Sequence, residues 1–478
     1  MKTLKNNMVK YLLILGLILP LASCKDDNEV VDPPKRTDKE ITAFSIPASD
    51  LTGDINAETY AIVLTVTPDF DQSQLENVVP RIAYNGVSIE PLATAPQDFT
   101  ENVTYKVTAE DGTFQNYTVS LVVSEFYAKG FAKAEEVWAQ TDWATLGFAT
   151  NSEPTLACLG DKLVASRSGI LLNEADGNLT GGKLNVEGAD GKFNGSQSAQ
   201  PNYPFSVTND DAGNVIGTSL GAWTKPNFPI YKWTTSLESP PVLVHEVVSN
   251  EAVHGQFGRK ISVTGNINGD GYIAQYSHNQ GANSPGNVKQ YVWKVTGGVV
   301  DPDSSEIVTR SEGDGGYYQT LIPMTTTGIY PYYVALSGNT AATLRSGMFY
   351  AANASSELSF IDGFLDPEQV VVVSSNWGSF VRHAKKFDFN GVTYIAVITE
   401  GSQQSDGNIT YYLAILDTRN DRVVKTDEIV TVATAAGNGA TSVTNSVEKT
   451  LETGEKTIRL YTLITNYGVW CHELSNKP

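Results

Sequence analysis

The sequence has little cysteine, histidine or positive charge, and these shortages narrow the possible functions. Of 478 residues, 3 are Cys and 5 are His, and no Cys-x-x-Cys pair is present, so the common zinc-site patterns are excluded. Lysine and arginine total 33 against 53 acidic residues, which gives a formal net charge of -20. Because nucleic acids are held by clustered positive charge, this balance argues against a nucleic-acid partner.

Several catalytic signatures are also missing. The sequence contains no His-Glu-x-x-His, which is a common metalloprotease pattern. The repeated Ser-x-Asp-x-Gly-x-Thr-Trp box of sialidases is absent as well. The segment Asn266–Gly271 carries the Asp and Gly of a calcium loop but has no Glu at the twelfth position, so it is predicted to be a hairpin turn. No motif predicts a cofactor, a metal site or a catalytic residue.

The chain has one long apolar run, and it lies at the N-terminus. Lysines precede the run Tyr11–Leu21, which is too short to span a bilayer comfortably and ends in small residues, so it predicts an export signal. The following Leu21-Ala22-Ser23-Cys24 resembles the lipobox of bacterial lipoproteins. This resemblance implies that residues 1–24 are a lipoprotein signal peptide and that Cys24 carries the lipid.

The residues after Cys24 suggest a destination. Lys25-Asp26-Asp27-Asn28-Glu29 resembles the tag that sends Bacteroidetes lipoproteins to the outer face of the outer membrane. The resemblance implies a lipid-anchored protein exposed at the cell surface. Residues 25–37, which include Pro33-Pro34, are predicted to be a flexible tether between the lipid and the folded chain.

Residues 38–124 alternate apolar and polar residues in short runs separated by turn residues, which predicts an immunoglobulin-like β-sandwich. The clearest hairpin is Tyr105–Tyr117, where Asp111-Gly112 supplies the positive φ of a tight turn. Its Tyr-x-Val-Thr-Ala-Glu-Asp-Gly-Thr sequence resembles the Ig-like modules that follow the anchors of Bacteroidetes surface proteins. We expect this domain to act as a spacer, with adhesion as the alternative, and it contains no catalytic pattern.

A glutamate within two residues of a valine or isoleucine recurs from residue 136 to the C-terminus. The copies are marked by Glu136, Glu187, Glu246, Glu306, Glu368 and Glu428. The first interval is 51 residues, and the next four are 59, 60, 62 and 60. A period of this length in a β-rich chain is typical of a repeat architecture. In one unit the apolar runs 386–389, 394–398, 411–416 and 428–430 predict four strands, the content of one propeller blade.

The two ends of the repeat predict how it closes. The last unit ends after 469–474 with no Glu-Val-Val strand of its own, and the copy at Glu136 has no preceding unit. A strand over 135–140 would complete the last sheet and leave no open edge. We therefore predict an all-β chain, with an N-terminal immunoglobulin-like β-sandwich followed by a six-bladed β-propeller over residues 130–478, closed by an N-terminal strand.

In such a ring, the connector after each outer strand and the connector between the second and third strands share one face, where propellers bind ligands. The aromatic and polar residues in these connectors are the predicted ligand-binding residues: Trp143, Trp223, His278, Tyr317, Arg345, Trp377 and Tyr467. By contrast, Tyr231 with Trp233 and Tyr291 with Trp293 occupy matched strand positions and are predicted to pack between blades. Trp138 and Trp470 lie in the strands that would close the ring and are also predicted to be core residues.

The chemistry of this face favours sugar. Tryptophan and tyrosine rings stack on the CH faces of sugar rings, and Asn, Gln, Asp and Arg bond their hydroxyls. The overall plan is similar to that of the anchored glycan-binding proteins of polysaccharide-utilisation systems, and the whole chain resembles Bacteroidetes surface lipoproteins that have an N-terminal Ig-like domain and a C-terminal β-propeller-like domain. The resemblance implies no specific activity.

Two alternatives remain open from the sequence. A metal-dependent propeller hydrolase or lyase would draw its ligands from His254, His278, His383, Asp314 and Glu400. A protein–protein interaction scaffold would present a broad apolar rim. The pairing of Cys158 with Cys471 is also open, although the ring places them in different blades and favours two buried thiols. Ligand identity and oligomeric state are not determined by the sequence.

Overall fold

The protein is described by a computed structural model. The residues it describes are 33–150, 155–189, 191–193, 202–219, 227–248, 259–277, 288–310, 319–336, 347–361, 381–401, 407–434, 436 and 441–478. The chain divides into two compact units, one within residues 1–65 and 71–122 and the other comprising 66–70 and 123–478. Among the described residues, no helix has the length and hydropathy needed to cross a membrane.

The N-terminal unit consists of two antiparallel sheets. Its strands are β1 (Ile41–Ile46), β2 (Leu51–Thr52), β3 (Asp54–Asn56), β4 (Ala61–Val66), β5 (Arg81–Tyr84), β6 (Ser88–Glu90), β7 (Val103–Thr108) and β8 (Phe114–Val123). Two single 3₁₀ turns occupy Pro47–Ser49 and Gln72–Leu75. The strand order is β2-β1-β5 in one sheet and β3-β4-β8-β7-β6 in the other. The apolar runs of the sequence predicted each of the longer strands.

Aromatic residues fill the centre of the N-terminal unit. Phe44 packs edge-on against Phe99 with ring centroids 5.6 Å apart, and Tyr105 lies 6.1 Å from Phe44. All three rings are buried: Phe44 and Tyr105 point inward from β1 and β7, and Phe99 lies in the connector between β6 and β7. The predicted Asp111-Gly112 turn forms as expected: Gly112 has φ 87°, and Ala109 N–H donates to Thr113 O at 2.8 Å.

The C-terminal unit begins with β9 (Lys133–Gln140) and contains, among the described residues, six sheets of four principal strands. Sheet 1 contains β10 (Leu156–Leu159), β11 (Lys162–Ala165), β12 (Ile170–Asn173) and β13 (Leu179–Lys183). Sheet 2 contains β14 (Ser206–Asn209), β15 (Val215–Thr218), β16 (Asn227–Trp233) and β17 (Val242–Val248). Sheet 3 contains β18 (Ile261–Gly265), β19 (Gly271–Ser277), β20 (Val288–Thr296), the short β21 (Val299–Val300) and β22 (Ser305–Arg310).

Three more sheets complete this unit. Sheet 4 contains β23 (Thr320–Pro323), β24 (Tyr332–Leu336), β25 (Gly347–Ala351) and β26 (Ser359–Phe360). Sheet 5 contains β27 (Val381–Phe389), β28 (Val392–Glu400), β29 (Ile409–Asp417) and β30 (Arg422–Val432). Sheet 6 contains β31 (Thr441–Asn445), the short β32 (Lys449–Thr450), β33 (Lys456–Ile464) and β34 (Gly468–Ser475), with β9 as its fourth principal strand.

The first strands of the six sheets form a cycle. Each of β10, β14, β18, β23, β27 and β31 contacts the first strand of the sheet before it and of the sheet after it, and β31 contacts β10. The arrangement is propeller-like, with each sheet packed face to face against its two neighbours. Apolar clusters fill the gaps between sheets; the predicted packing residues Tyr231, Trp233, Tyr291 and Trp293 are all buried there.

The innermost strand of each sheet has an unpaired edge, and side chains of neighbouring sheets satisfy it. Leu156 N–H donates to Ser442 Oγ at 3.1 Å, and Val207 N–H donates to Thr155 Oγ1 at 2.8 Å. Because a buried backbone group without a partner destabilises the fold, these bonds explain why buried inner strands carry Ser and Thr among apolar residues. The ring is therefore held at its centre by polar bonds and between its sheets by apolar packing.

The strand predicted over 135–140 is observed and pairs with the last sheet. β9 pairs antiparallel with β34 in a register that runs from Val469 opposite Gln140 to Ser475 opposite Lys133. Residues 135–140 thus supply the outer strand that the last repeat lacks. Trp470 is buried and Trp138 is partly buried against the adjoining core, as predicted.

One repeat marker was assigned wrongly. Glu246, Glu306 and Glu428 lie in the outer strands β17, β22 and β30, but Glu187 follows the outer strand of sheet 1, which is β13. The Asn185 side chain accepts a hydrogen bond from Glu187 N–H at 2.7 Å, and Ala189 N–H bonds back to Val186 O, so the chain turns there instead of extending. Glu368 lies outside the described residues.

Candidate functional site

The six inner strands begin at one common end of the ring, which we call the rim end, and a buried polar residue stands at the start of each. These residues are Thr155, Ser206, Lys260, Thr320, Arg382 and Thr441. Bonds between strands align the starts: Lys260 Nζ donates to Thr441 O, and Ser262 Oγ donates to Leu321 O. The connectors that the sequence analysis assigned to the ligand face join the strands at this end.

At the rim end of sheet 5, an ion pair is buried together with a tyrosine. Arg382 Nη2 lies 2.6 Å from Glu400 Oε2, and the two side chains are only 2% and 8% exposed. Tyr411 OH donates to Glu400 Oε2 at 2.9 Å and accepts from Ala436 N–H at 2.8 Å. Burial, with Glu400 as a second cause, raises the pKa of Tyr411, so its hydroxyl remains a donor. The chain of bonds ties β27, β28 and β29 to the connector that leads into sheet 6.

Lys260 reaches across the ring rather than along its own sheet. Its ammonium nitrogen donates to the carbonyl oxygen of Thr441, so a residue next to sheet 3 is bonded to sheet 6. Complete burial lowers the pKa of Lys260 well below its ordinary value, and the charge of Arg382 adds to the shift. In the same way Lys385 Nζ of sheet 5 donates to Asn209 O of sheet 2. Two lysines therefore cross the axis and tie opposite sheets together.

The side chain of His383 satisfies a backbone group on the unpaired edge of a neighbouring inner strand. Its Nδ1 accepts a hydrogen bond from Val443 N–H at 2.9 Å, which joins sheet 5 to the inner strand of sheet 6. Burial lowers the pKa of His383 well below its ordinary value, with Lys260 and Lys385 as further causes. A neutral ring accepts this bond through an unprotonated Nδ1, so the pKa shift and the hydrogen bond are consistent.

The pool of metal ligands suggested by the sequence divides into described and undescribed members. His383 caps a strand, and Glu400 is paired with Arg382. His254, His278 and Asp314 lie outside the described residues. Across the part of the chain that the structure describes, no group of three or more His, Cys, Asp or Glu side chains is arranged to hold a metal ion.

Tyr467 is the predicted ligand residue whose hydroxyl the structure places at the surface of the rim end. It follows β33, and its OH lies 2.6 Å from Thr434 Oγ1 and 2.7 Å from Thr434 O, in an exposed setting. Its ring packs partly against the core between sheets 5 and 6. The preceding Asn466 has φ 75°, a left-handed conformation that turns the chain and presents Tyr467.

Trp143 does not present its ring to solvent. The side chain is buried in the cluster between sheets 6 and 1, where its ring meets Phe148 edge-on at 4.8 Å. Its Nε1–H donates to Ala149 O at 3.0 Å, and Asp142 caps the N–H groups of Ala144 and Thr145. The expectation that Trp143 stacks on a ligand is therefore corrected: the indole anchors its own connector, because a loop crossing an apolar surface gains more by burying a large ring.

The remaining predicted residues lie outside the described part of the chain. These are the ligand-face residues Trp223, His278, Tyr317, Arg345 and Trp377, and the lipidation residue Cys24. The two other cysteines are described: Cys158 and Cys471 are buried, unpaired thiols in one apolar cluster. The alternative in which they form a disulfide is not observed.

No sequence pattern predicted a role for Lys260, Lys385 or Ser206, which the structure places at the centre of the ring. A signal for them exists in retrospect: each is a polar residue in or next to a short apolar strand that opens a repeat. The sequence pattern could not assign the partners of the two lysines, because those partners lie up to 181 residues away, as for Lys260 and Thr441.

Comparison with known protein families gives one match. Residues 41–121 match the family model described as SGBP, N-terminal, where SGBP denotes surface glycan-binding protein. The match runs from β1 into β8 of the N-terminal unit and includes none of the six sheets of the C-terminal unit. A search of curated proteins found no match for the chain.

Solved structures with a related arrangement come from several sources. A DUF4623 family protein from Bacteroides eggerthii is 15% identical, with 91% of this chain and 98% of that chain covered and a TM-score of 0.48. A subtype N10 neuraminidase-like protein of A/little yellow-shouldered bat/Guatemala is 8% identical, with 72% of this chain and 99% of that chain covered and a TM-score of 0.35. A xylan β-1,4-xylosidase from Bacillus halodurans is 10% identical over 56% and 52%, with a TM-score of 0.29. Likeness at these levels says nothing about activity.

Proposed function

We propose that this protein is a lipid-anchored protein of the outer membrane that binds an extracellular glycan at the rim end of its C-terminal unit. The observation that carries the proposal is the match of residues 41–121 to the N-terminal domain of surface glycan-binding proteins. A domain of that kind supports a role in glycan binding at the surface of Bacteroidetes. Its C-terminal unit then supplies the binding surface.

The fold we propose in detail is an immunoglobulin-like sandwich followed by a six-bladed β-propeller closed by β9. Two facing antiparallel sheets in residues 41–123 support the first part. The cycle of inner-strand contacts and the pairing of β9 with β34 support the second. A ring closed by a strand from its own beginning leaves no open sheet edge, so its connectors can vary in sequence without loss of the scaffold.

The rim end has the chemistry for sugar binding. It carries the partly exposed Tyr467, and its connectors contain the proposed ligand residues Trp223, His278, Tyr317, Arg345 and Trp377. Trp143 is left out because its ring is buried. Aromatic rings supply flat apolar surfaces, and amide, hydroxyl and guanidinium groups supply directional bonds to sugar hydroxyls.

The anchor is a separate part of the proposal. Cys24 after Leu-Ala-Ser is the proposed lipidation site, and Lys25–Glu29 is the proposed surface-export tag. Cells that express the full chain should release its C-terminal unit when intact cells are treated with protease. Cys24→Ala should abolish labelling by a radioactive fatty acid. Labelling that persists in this variant would contradict anchoring at Cys24.

The binding proposal is tested with a panel of purified plant and microbial polysaccharides in affinity gel electrophoresis. We expect retardation by at least one polysaccharide, lost in Trp223→Ala and Trp377→Ala. A matched control is Phe114→Ala, which removes an exposed aromatic ring of the N-terminal unit and should retain binding. Wild-type protein that binds no polysaccharide would overturn the proposal and favour a protein partner.

A further inference from the structure

We propose that the gap between sheets 2 and 3 at the rim end is a binding site for a hydroxyl group of a neutral sugar, formed by Ser206, Thr218 and Gln275. This inference rests on the proposed glycan-binding function and names the ligand chemistry of one part of the same rim. It is carried by three buried polar groups that have no hydrogen-bond partner and that meet in one gap.

Strand register places Ser206 and Thr218 on the face of sheet 2 that looks at sheet 3. The two residues are directly opposite each other in the β14–β15 pair. Two positions along β15 from Thr218 is Ile216, which lies in the apolar cluster shared with sheet 3. Because side chains two apart on a strand share a face, both hydroxyls point into the gap that this cluster fills lower down.

The same argument places Gln275 on the opposing wall. Gln275 is opposite Ile261 in the β18–β19 pair and two positions from Ile273 on β19. Both isoleucines belong to the cluster that joins sheets 2 and 3. Gln275 therefore extends from sheet 3 toward sheet 2, at the level of the first residue of β18.

The two walls are aligned by bonds at their far end. Asp211 N–H donates to Gly265 O at 2.9 Å, and Gly265 N–H donates to Asp211 Oδ2 at 2.8 Å. These two bonds place Asp211, in the turn after β14, at the same level as Gly265, the last residue of β18. Counting back five residues along each inner strand brings Ser206 level with Lys260, the residue before Ile261, and so brings the Ser206–Thr218 pair within one residue of the level of Gln275.

All three side chains are closed off from solvent, with relative exposure of 0%. Ser206 Oγ, Thr218 Oγ1 and Gln275 Oε1 have no hydrogen-bond partner. The orientation of the amide is fixed, because Gln275 Nε2 donates to Lys260 O at 2.6 Å and leaves Oε1 directed away from that bond. Leaving a buried polar group unpaired destabilises a fold, so three on the walls of one gap indicate a group that pairs with them when it is bound.

The polar groups define the chemistry of that group. Gln275 Oε1 can only accept a hydrogen bond, so the partner must donate one. The hydroxyls of Ser206 and Thr218 can each donate or accept. A sugar hydroxyl has one donor and two acceptor positions and fits this set, whereas an ionised carboxylate or sulfate has no donor for Oε1. The gap therefore takes a sugar hydroxyl and not an ionised acidic group.

The position of the gap supports a ligand in preference to an isolated water. Thr218 is the last residue of β15, and Gln275 lies two residues before the end of β19. Both strands lead into connectors of the predicted ligand face. A sugar bound there has one hydroxyl within reach of the gap, while water supplies the same donor and acceptors when sugar is absent.

The test compares Thr218→Val with Thr462→Val. Thr462 of sheet 6 also carries a buried hydroxyl with no partner, so it is a matched control outside the gap. Binding is measured by isothermal titration with the neutral polysaccharide that gives the strongest retardation in affinity gels. We expect Thr218→Val to weaken binding about tenfold or more, and Thr462→Val to leave it unchanged. The melting temperature of Thr218→Val should equal or exceed that of wild type, because valine removes an unpaired polar group.

Each outcome has one meaning. Equal binding by Thr218→Val and wild type overturns this inference, leaves the glycan-binding function standing, and assigns the gap an ordered water only. Wild type that binds only acidic polysaccharides overturns the proposal that the sugar is neutral. Wild type that binds no polysaccharide overturns both proposals. If Thr218→Val does not fold, Ser206→Ala tests the same gap with the same expected loss.

Discussion

Arg459 and Glu174 join two sheets that are neighbours only because the ring closes. Arg459 Nη1 lies 3.2 Å from Glu174 Oε1, with Arg459 in β33 of sheet 6 and Glu174 just after β12 of sheet 1. Tyr461 OH also donates to Glu174, and Trp138 Nε1–H donates to Glu174 O at 3.2 Å. Glu174 of sheet 1 thus bonds Arg459 and Tyr461 of the last sheet through its carboxylate, and Trp138 of the closing strand through its main-chain oxygen.

Glu174→Gln should destabilise the C-terminal unit more than other losses of an acidic residue. The variant removes the charge opposite Arg459, whose guanidinium keeps Glu473 as a second partner at 2.8 Å, and the loss of one charged bond should lower the free energy of unfolding by about 1.5–3 kcal/mol. Urea unfolding followed by tryptophan fluorescence measures it. Glu238→Gln is the control, because Glu238 pairs with Lys162 but is 51% exposed, and its loss should cost less than about 1 kcal/mol. Equal effects would contradict a special role for the closure.

Arg382 and Glu400 should show strong coupling. Arg382→Met leaves the carboxylate of Glu400 buried without its guanidinium, which lowers the free energy of unfolding by about 3–5 kcal/mol. The double variant Arg382→Met, Glu400→Leu removes both charges and should be more stable than Arg382→Met alone. A double-mutant cycle in urea gives the interaction energy. Strictly additive effects would contradict the buried pair.

The neutral state of His383 predicts a dependence of stability on pH. Burial holds the pKa of His383 well below its unfolded value, so the unfolded chain binds a proton that the folded chain does not. As the pH falls below the unfolded value of about 6.5, protonation favours the unfolded state and stability decreases, by at most about 1.4 kcal/mol per pH unit for this group. His383→Gln should reduce this slope between pH 6.5 and 5 relative to wild type, in urea titrations at each pH. An unchanged slope would mean that His383 is charged in the folded protein.

The buried thiols should be unreactive in the folded protein. Burial raises the pKa of Cys158 to about 12 and also raises the pKa of Cys471. Since only the thiolate attacks a disulfide reagent, the folded Cys24→Ser variant should react slowly with dithionitrobenzoate at pH 8. In guanidinium chloride, both thiols should react within minutes. Fewer than two thiols on unfolding would indicate a disulfide.

Much of the architecture follows from local pattern. Alternating apolar residues predicted the longer strands of the N-terminal unit, and Asp111-Gly112 predicted its hairpin. The strand at 135–140 was placed in the last sheet by counting strands per repeat, because a repeat that lacks its outer strand must take one from elsewhere. Burial of Trp233 and Trp293 followed from their equivalent positions in neighbouring units.

The errors arise where a residue has two physically acceptable settings. A tryptophan in a connector can face a ligand or anchor the connector, and for Trp143 the bond from Nε1 to Ala149 O and the contact with Phe148 decide for the second. His383 was grouped with metal ligands because histidine is a common one, yet it accepts a bond from Val443 N–H. Neither choice depends on the residues next to it in sequence.

The sequence by itself determined the all-β class, the period of the repeat, and the strand that completes the last sheet, because alternation and strand count are local properties of the chain. Tertiary structure alone decided what fills the centre of the ring and which polar groups remain unpaired there. Lys260 reaches Thr441 and Lys385 reaches Asn209 only because ring closure brings distant strands within bonding range. The packing of sheet 2 against sheet 3 likewise places Ser206, Thr218 and Gln275 on the walls of one gap, since the facing of two sheets is a property of packing and not of either strand alone.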